Sequence, residues 1–126
     1  MSSDSMEPTI PHGSNVVVDD AAYEEAPVER NDIICFRPEI NPEWIWIFRV
    51  AGLPGERITL SGDTIFADGV ATNITGVTGD STGVPITLNR DEYFVVGDNS
   101  ADAMDSRFIG PVTRSQIIGK VVDIRS

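Results

Sequence analysis

The sequence predicts an all-β domain of many short strands, arranged as folded sheets and partly barrel-like. Three observations predict it. β-branched and aromatic residues gather in short runs bounded by Gly, Pro, Asp and Asn. No stretch of useful length places apolar residues at a helical period. Gly-Asp and Asp-Gly pairs punctuate the middle of the chain, as tight hairpins do. The 126 residues suit one domain with a real core. The chain reads as a single unit, 1–126, with a small hairpin or loop insertion at 60–90.

The elements follow in order. Val16-Val17-Val18 leaves a Pro-His-Gly turn and reads as the first strand. Ala21 to Glu29 is acidic and broken by Pro27, so a loop or one poor helical turn is expected. Asp32 to Phe36 is a second strand. Trp44 to Val50 is the most β-prone segment of all, and Gly52-Leu53-Pro54-Gly55 turns the chain after it. Arg57–Leu60, Thr64–Ala67 and Val70–Thr75 are short strands separated by Gly62-Asp63 and Asp68-Gly69. Thr75 to Gly83 reads as a mobile loop. Val84–Leu88 and Glu92–Val96 are further strands, and an acidic loop runs from Gly97 to Gly110. A short turn at Ser115–Ile118 leads into a closing strand, Gly119–Ile124.

Composition narrows the function. A formal net charge of −11 repels phosphate, which argues against nucleic acid and against docking on anionic lipid. Hydrophobic residues make up 40%, enough for a core. No apolar run approaches the roughly 18–20 residues that span a bilayer, and no cleavable leader is visible. Cys35 is the only cysteine, so no internal disulfide can form; within Ile33-Ile34-Cys35-Phe36 it reads as a small buried hydrophobe. No metal-ligand cluster, phosphate loop or cofactor motif stands out, so neither a metal nor a cofactor is expected.

Three stretches carry chemistry. The first is Ser3-Asp4-Ser5-Met6-Glu7-Pro8-Thr9, two hydroxyls followed by a proline that stiffens the segment and holds Glu7 extended. A serine so restrained suits a nucleophile. The second is Phe48-Arg49-Val50-Ala51-Gly52-Leu53-Pro54-Gly55-Glu56. The third is Gly97-Asp98-Asn99-Ser100-Ala101-Asp102-Ala103-Met104-Asp105-Ser106-Arg107. In this order they resemble the conserved boxes of type I signal peptidases, membrane serine proteases that remove secretory leader peptides. The ending Ile117-Ile118-Gly119-Lys120-Val121 is similar as well. The resemblance implies the signal-peptidase fold, shared with LexA-like repressors.

The resemblance also implies roles. Ser5 is the nucleophile. Its own N–H and the Ser3 hydroxyl form the oxyanion hole, donors aimed at developing charge. Met6 and Pro8 carry over as substrate contacts. Arg49, Asp105 and Arg107 form an ion-paired scaffold, because a guanidinium fork matches a carboxylate. In the family a buried neutral lysine takes the serine's proton, since burial lowers its pKa. Here that position is Phe48, and a phenyl ring accepts no proton. The serine that orients the family's lysine is replaced by Ala103. The two changes read as coupled, because a buried hydroxyl left without a partner costs free energy. Ser100, in place of an arginine, is a peripheral departure.

Substitute bases are few. His12 follows Pro11 in what reads as an exposed turn. Lys120, the only lysine, is expected to face solvent from the closing strand. Asp4 and Glu7 are ionised near neutral pH, and an amino-terminal amine is a weak base. Trp44, Trp46 and Phe48 share one strand face by period two and read as core, or alternatively as a surface lining the cleft or facing lipid. The expectation is a signal-peptidase-like serine endopeptidase domain, acting after Ala-x-Ala-type sites by resemblance and impaired by loss of its base. The alternative is a non-catalytic peptide-binding or chaperone-like relative. The expected partner is an extended peptide or secreted precursor. The resemblance further implies a membrane anchor upstream of Ser5; either it has been trimmed from this chain, the favoured reading, which places the protein on the extracytoplasmic face of the plasma membrane, or the form is naturally soluble.

Overall fold

The computed structural model describes residues 6, 9–10, 13–61, 63–74, 86–98 and 110–125. Its strands are β1 (Asn15–Asp19), β2 (Ile33–Phe36), β3 (Trp46–Gly52), β4 (Arg57–Ser61), β5 (Thr64–Ala67), β6 (Val70–Ala71), β7 (Ile86–Thr87), β8 (Glu92–Val96), β9 (Val112–Thr113) and β10 (Ile117–Arg125). Among the described residues the helical elements are one turn of α-helix, α1 (Ala22–Glu25), and a 3-10 turn at Arg114–Gln116. The all-β expectation holds. Two antiparallel sheets form, one in the order β1-β10-β2-β3-β8-β9 and one in the order β6-β5-β4-β7. Among the described residues neither sheet closes into a barrel.

Several boundaries differ from the sequence expectation for local reasons. β3 starts at Trp46, not Trp44. The Asn41 side chain accepts the Glu43 N–H at 3.0 Å and its carbonyl accepts the Trp44 N–H at 3.0 Å, so the chain is still turning. At the other end β3 runs through Gly52, which pairs with Phe94 beyond a register shift. A side chain at Gly52 would meet Ile58 at 2.7 Å and Leu88 at 3.0 Å, so the backbone passes close to the second sheet there. β6 stops at Ala71 because the Thr72 N–H and hydroxyl both return to the Ile65 carbonyl, at 2.9 and 2.7 Å. Asp68 and Gly69 take φ of 51° and 82°, the twin left-handed pair that a two-residue hairpin turn requires. The two-residue strand β9, just after Pro111, has no sequence signature. Residues 62, 75–85 and 99–109 lie outside the described residues, and with them the expected loop Thr75–Gly83 and most of the expected loop Gly97–Gly110.

Two apolar clusters hold the sheets. The larger takes Ile34, Phe36, Phe48, Val50, Val95, Val112, Val121, Met6 and Ile10 from the first sheet and the segment leading into it. The smaller packs Ile58, Ile65, Ala67 and Leu88 of the second sheet against Ala51, Phe94 and Val96. β3 and β8 therefore contribute to both. Cys35 is buried in the larger cluster as expected, and burial pushes its thiol pKa up.

Candidate functional site

Of the candidate site residues, Met6, Phe48 and Arg49 can be placed, as can Cys35, Lys120 and the tryptophans Trp44 and Trp46. Ser3, Ser5, Pro8, His12, Ala103, Asp105 and Arg107 lie outside the described residues.

Phe48 sits in the middle of β3, paired with Ile34 of β2, which is paired in turn with Lys120 of β10. Directly opposed residues in a sheet point to the same face, so Phe48 shares a face with Ile34 and lies deep in the core, 3% exposed. Its ring centroid is 5.9 Å from that of Phe36 and 6.0 Å from that of Trp46. These tilted and edge-on geometries suit aromatic pairs. The surroundings are apolar, and an ionised amine would be poorly solvated among them. The Trp44–Trp46–Phe48 stripe is graded. Phe48 is buried, Trp46 half-buried, and Trp44 exposed by 49% while stacking on Trp46 at 6.0 Å. Core packing therefore accounts for one end of the stripe and not the other.

Arg49, the next residue, makes a bidentate ion pair. Its Nε and Nη2 donate to the two carboxylate oxygens of Asp98 at 2.8 and 2.7 Å, a fork-to-fork pair. Its Nη1 donates to the Asn31 carbonyl at 3.1 Å. Asp98 also accepts from the Thr9 hydroxyl, and the Asp98 N–H donates to the Met6 sulfur at 3.4 Å. Met6 itself is 1% exposed, and its carbonyl accepts the Ile10 N–H at 2.9 Å. The segment that carries the first box is thus tied to the end of β8 and, through Asp98, to β3. Burial works to raise the Asp98 pKa, but the Arg49 fork, the Thr9 hydroxyl and the arginine's charge outweigh it and hold the carboxyl below its usual range.

Asp98 is a residue whose role the sequence did not reveal. It stands in the third box, yet the scaffold partners expected for Arg49 were Asp105 and Arg107. The contact spans 49 positions, and no local pattern marks it. Lys120 departs from expectation. It is half-exposed, and its Nζ lies 3.4 Å from Asp32 Oδ1, so it pairs instead of simply facing solvent. Asp32 also accepts from the Tyr23 hydroxyl at 2.8 Å and the Glu29 N–H at 3.0 Å. Burial and this bond to Asp32 push the Tyr23 phenol far up. Among the described residues no helix is long and apolar enough to cross a membrane.

The two-sheet architecture, with the first box seated on Asp98, defines a β-domain of the signal peptidase I type. The solved signal peptidase I of Enterococcus faecalis V583 superposes with a TM-score of 0.63 at 25% identity, covering 77% of this chain and 98% of that one. The family model described as signal peptidase, peptidase S26, matches residues 1–124, and the chain belongs to that family. Signal peptidase I of Leptolyngbya laminosa is 34% identical over 129 residues, which cover 95% of this chain and 64% of the relative. Signal peptidase I of Bacillus caldolyticus is 34% identical over 133 residues, covering 93% of this chain and 72% of that protein. The chain therefore spans about two thirds of the length of these relatives.

Proposed function

We propose that this domain retains a signal-peptidase-type cleft for extended peptides and that its capacity to cut them is impaired or lost. The observation that carries the proposal is Phe48. The position expected to hold the general base bears a phenyl ring, 3% exposed and packed against Phe36 and Trp46. No proton acceptor can enter that space without displacing an aromatic ring.

Lys120 does not supply the missing amine. It stands two strands from Phe48 in the same row, with Ile34 between them. At about 4.8 Å per strand the two backbones are roughly 10 Å apart. Its Nζ is turned to Asp32 Oδ1, 3.4 Å away, and is engaged there. Loss of a general base costs roughly 10²–10⁴-fold, and disabling a nucleophile–base unit about 10⁶ in kcat. An oxyanion hole alone leaves about 10³–10⁴ over water, too little for useful peptide hydrolysis. The proposed nucleophile is Ser5, with Ser3 in the oxyanion hole and Ala103 at the place of the lost lysine-orienting hydroxyl.

The second reading is a non-catalytic binder of secreted precursors that accepts a peptide as an added strand. The intact Arg49–Asp98 seat supports it, because the frame persists where the chemistry does not. A peptide ending in Ala-x-Ala, incubated with the domain and with Ser5→Ala, tests both readings. Saturable binding with no Ser5-dependent cleavage is the expected result. Ser5-dependent turnover by the unaltered chain would sink the impaired-site reading. Phe48→Lys together with Ala103→Ser is expected to restore measurable cleavage. Action on leader peptides at the outer face of a membrane, through an upstream anchor, is part of the same proposal.

A further inference from the structure

A second bidentate ion pair lies beside the site frame, and the function above does not use it. Arg30 Nη1 donates to Glu56 Oε1 at 2.8 Å, and its Nη2 donates to Oε2 at 2.6 Å. The same Nη1 donates to the Ala51 carbonyl at 2.9 Å. Glu56 Oε1 also accepts the Leu53 N–H at 2.7 Å, so one carboxylate closes the turn after β3 and grips Arg30. That turn is stitched to the start of the second sheet by Gly55 N–H to Leu88 O at 3.0 Å and by Leu88 N–H to Glu56 O at 2.9 Å.

Arg30 is followed by Asn31, whose φ is 78°. Asparagine enters this left-handed region more readily than other residues with a side chain, and here its contacts fix it. Asn31 is pinned on three sides. Its N–H donates to the Val50 carbonyl at 2.8 Å, its carbonyl accepts from Arg49, and its side chain donates to Asn73 at 3.1 Å. Polar contacts, joined by the peptide link between Arg30 and Asn31, therefore run from Glu56 to Arg30 and from Asn31 through Arg49 to Asp98, and from there to Thr9 and Met6.

We infer that the Arg30–Glu56 pair is a latch that couples the second sheet to the seat of the Ser-Met-x-Pro-Thr segment, with Arg30 and Glu56 acting as positioning residues for the cleft. Opening the pair frees Arg30, lets Asn31 relax from its left-handed conformation, and withdraws the carbonyl that steadies Arg49. The fork on Asp98 then holds Met6 and Thr9 less firmly. The charged groups facing the latch are Arg30, Glu56 and Asp68, whose carboxylate acts on Arg30 through space. The word "cleft" rests on the functional reading above, whereas the coupling itself does not.

Amide hydrogen exchange on the full chain tests the inference without any peptide. Glu56→Gln keeps an acceptor for the Leu53 N–H but removes the charge and one of the two oxygens that accept from Arg30. It is expected to speed exchange of the Ile10 amide roughly tenfold, a coupling of ordinary size between linked sites, while amides of the β2–β10 pairing keep their rates. Arg30→Met, which breaks the pair from the other side, is expected to do the same. Combined with Asp98→Asn, Glu56→Gln should speed Ile10 exchange no further than Asp98→Asn does alone. Acceleration confined to 53–56, or effects of Glu56→Gln and Asp98→Asn that simply multiply as for independent sites, would overturn the latch. In a parallel arm, Glu56→Gln should weaken binding of the Ala-x-Ala peptide. If no peptide binds even the unaltered chain, the functional reading fails while the exchange result stands.

Discussion

Phe48 and Arg49 are neighbours on one strand and have opposite surroundings. Phe48 looks into a dry aromatic layer of Phe36, Trp46 and Ile34. Arg49 looks into a charged cage of Asp98 and the Asn31 carbonyl. Alternation along a strand makes this possible, since successive side chains take opposite faces. The polar face retains the contacts that seat the first box, while the apolar face carries a ring where the family resemblance expects an amine. The two faces of the strand are therefore packed and satisfied separately, within two residues of sequence.

Breaking the dry face should have the largest effect. Phe48→Lys places an amine where burial depresses its pKa by about 3 units, which costs about 4 kcal/mol at pH 7. The sign is clear. The neutral amine is the form the core accepts, so the penalty shrinks as pH rises towards the ordinary lysine value. Urea unfolding at pH 7 and pH 10 should show that recovery, and a deficit independent of pH would mean that lost aromatic packing dominates. Breaking the charged face comes next. Asp98→Asn leaves Arg49 half-buried without a counter-charge and is expected to cost about 3 kcal/mol.

The same substitution sharpens the comparison through pH. The folded-state pKa of Asp98 lies below the usual 3.8, so its contribution is complete above that value and is lost as pH falls through the depressed one. Glu56, held down chiefly by the Arg30 fork, behaves alike. Acid unfolding of Asp98→Asn should therefore show a flatter limb below about pH 4. The smallest effect belongs to Trp44→Ala. It removes an exposed ring stacked on Trp46 and should cost about 0.5–1 kcal/mol. Unchanged peptide affinity in that variant would place Trp44 outside the cleft, and a clear loss would extend the cleft along the stripe.

The succession of short strands along the chain was legible because β-branched and aromatic residues, Gly-Asp pairs and prolines mark it locally, whereas their order in the sheets was not. β9 was not, since a strand of two residues is set by its pairing with Glu92 and Tyr93 and not by its own composition. The start of β3 was misplaced because Trp44 and Ile45 have strand propensity but are overruled by the Asn41 turn. At the site, the sequence marked Arg49 and Phe48 as positions of interest. It did not reveal the pairing of Arg49 with Asp98 or of Arg30 with Glu56, 26 positions apart, because nothing local distinguishes a carboxylate that will meet an arginine from one that will face water.

The buried thiol of Cys35 has a practical corollary. It is 5% exposed, and its pKa is raised, so little reactive thiolate is offered to a maleimide. A spectroscopic probe can therefore be attached through a cysteine introduced elsewhere, for instance at exposed Val70 or Val122, without first removing the native one. Distances between the two sheets then become measurable in an otherwise unaltered chain.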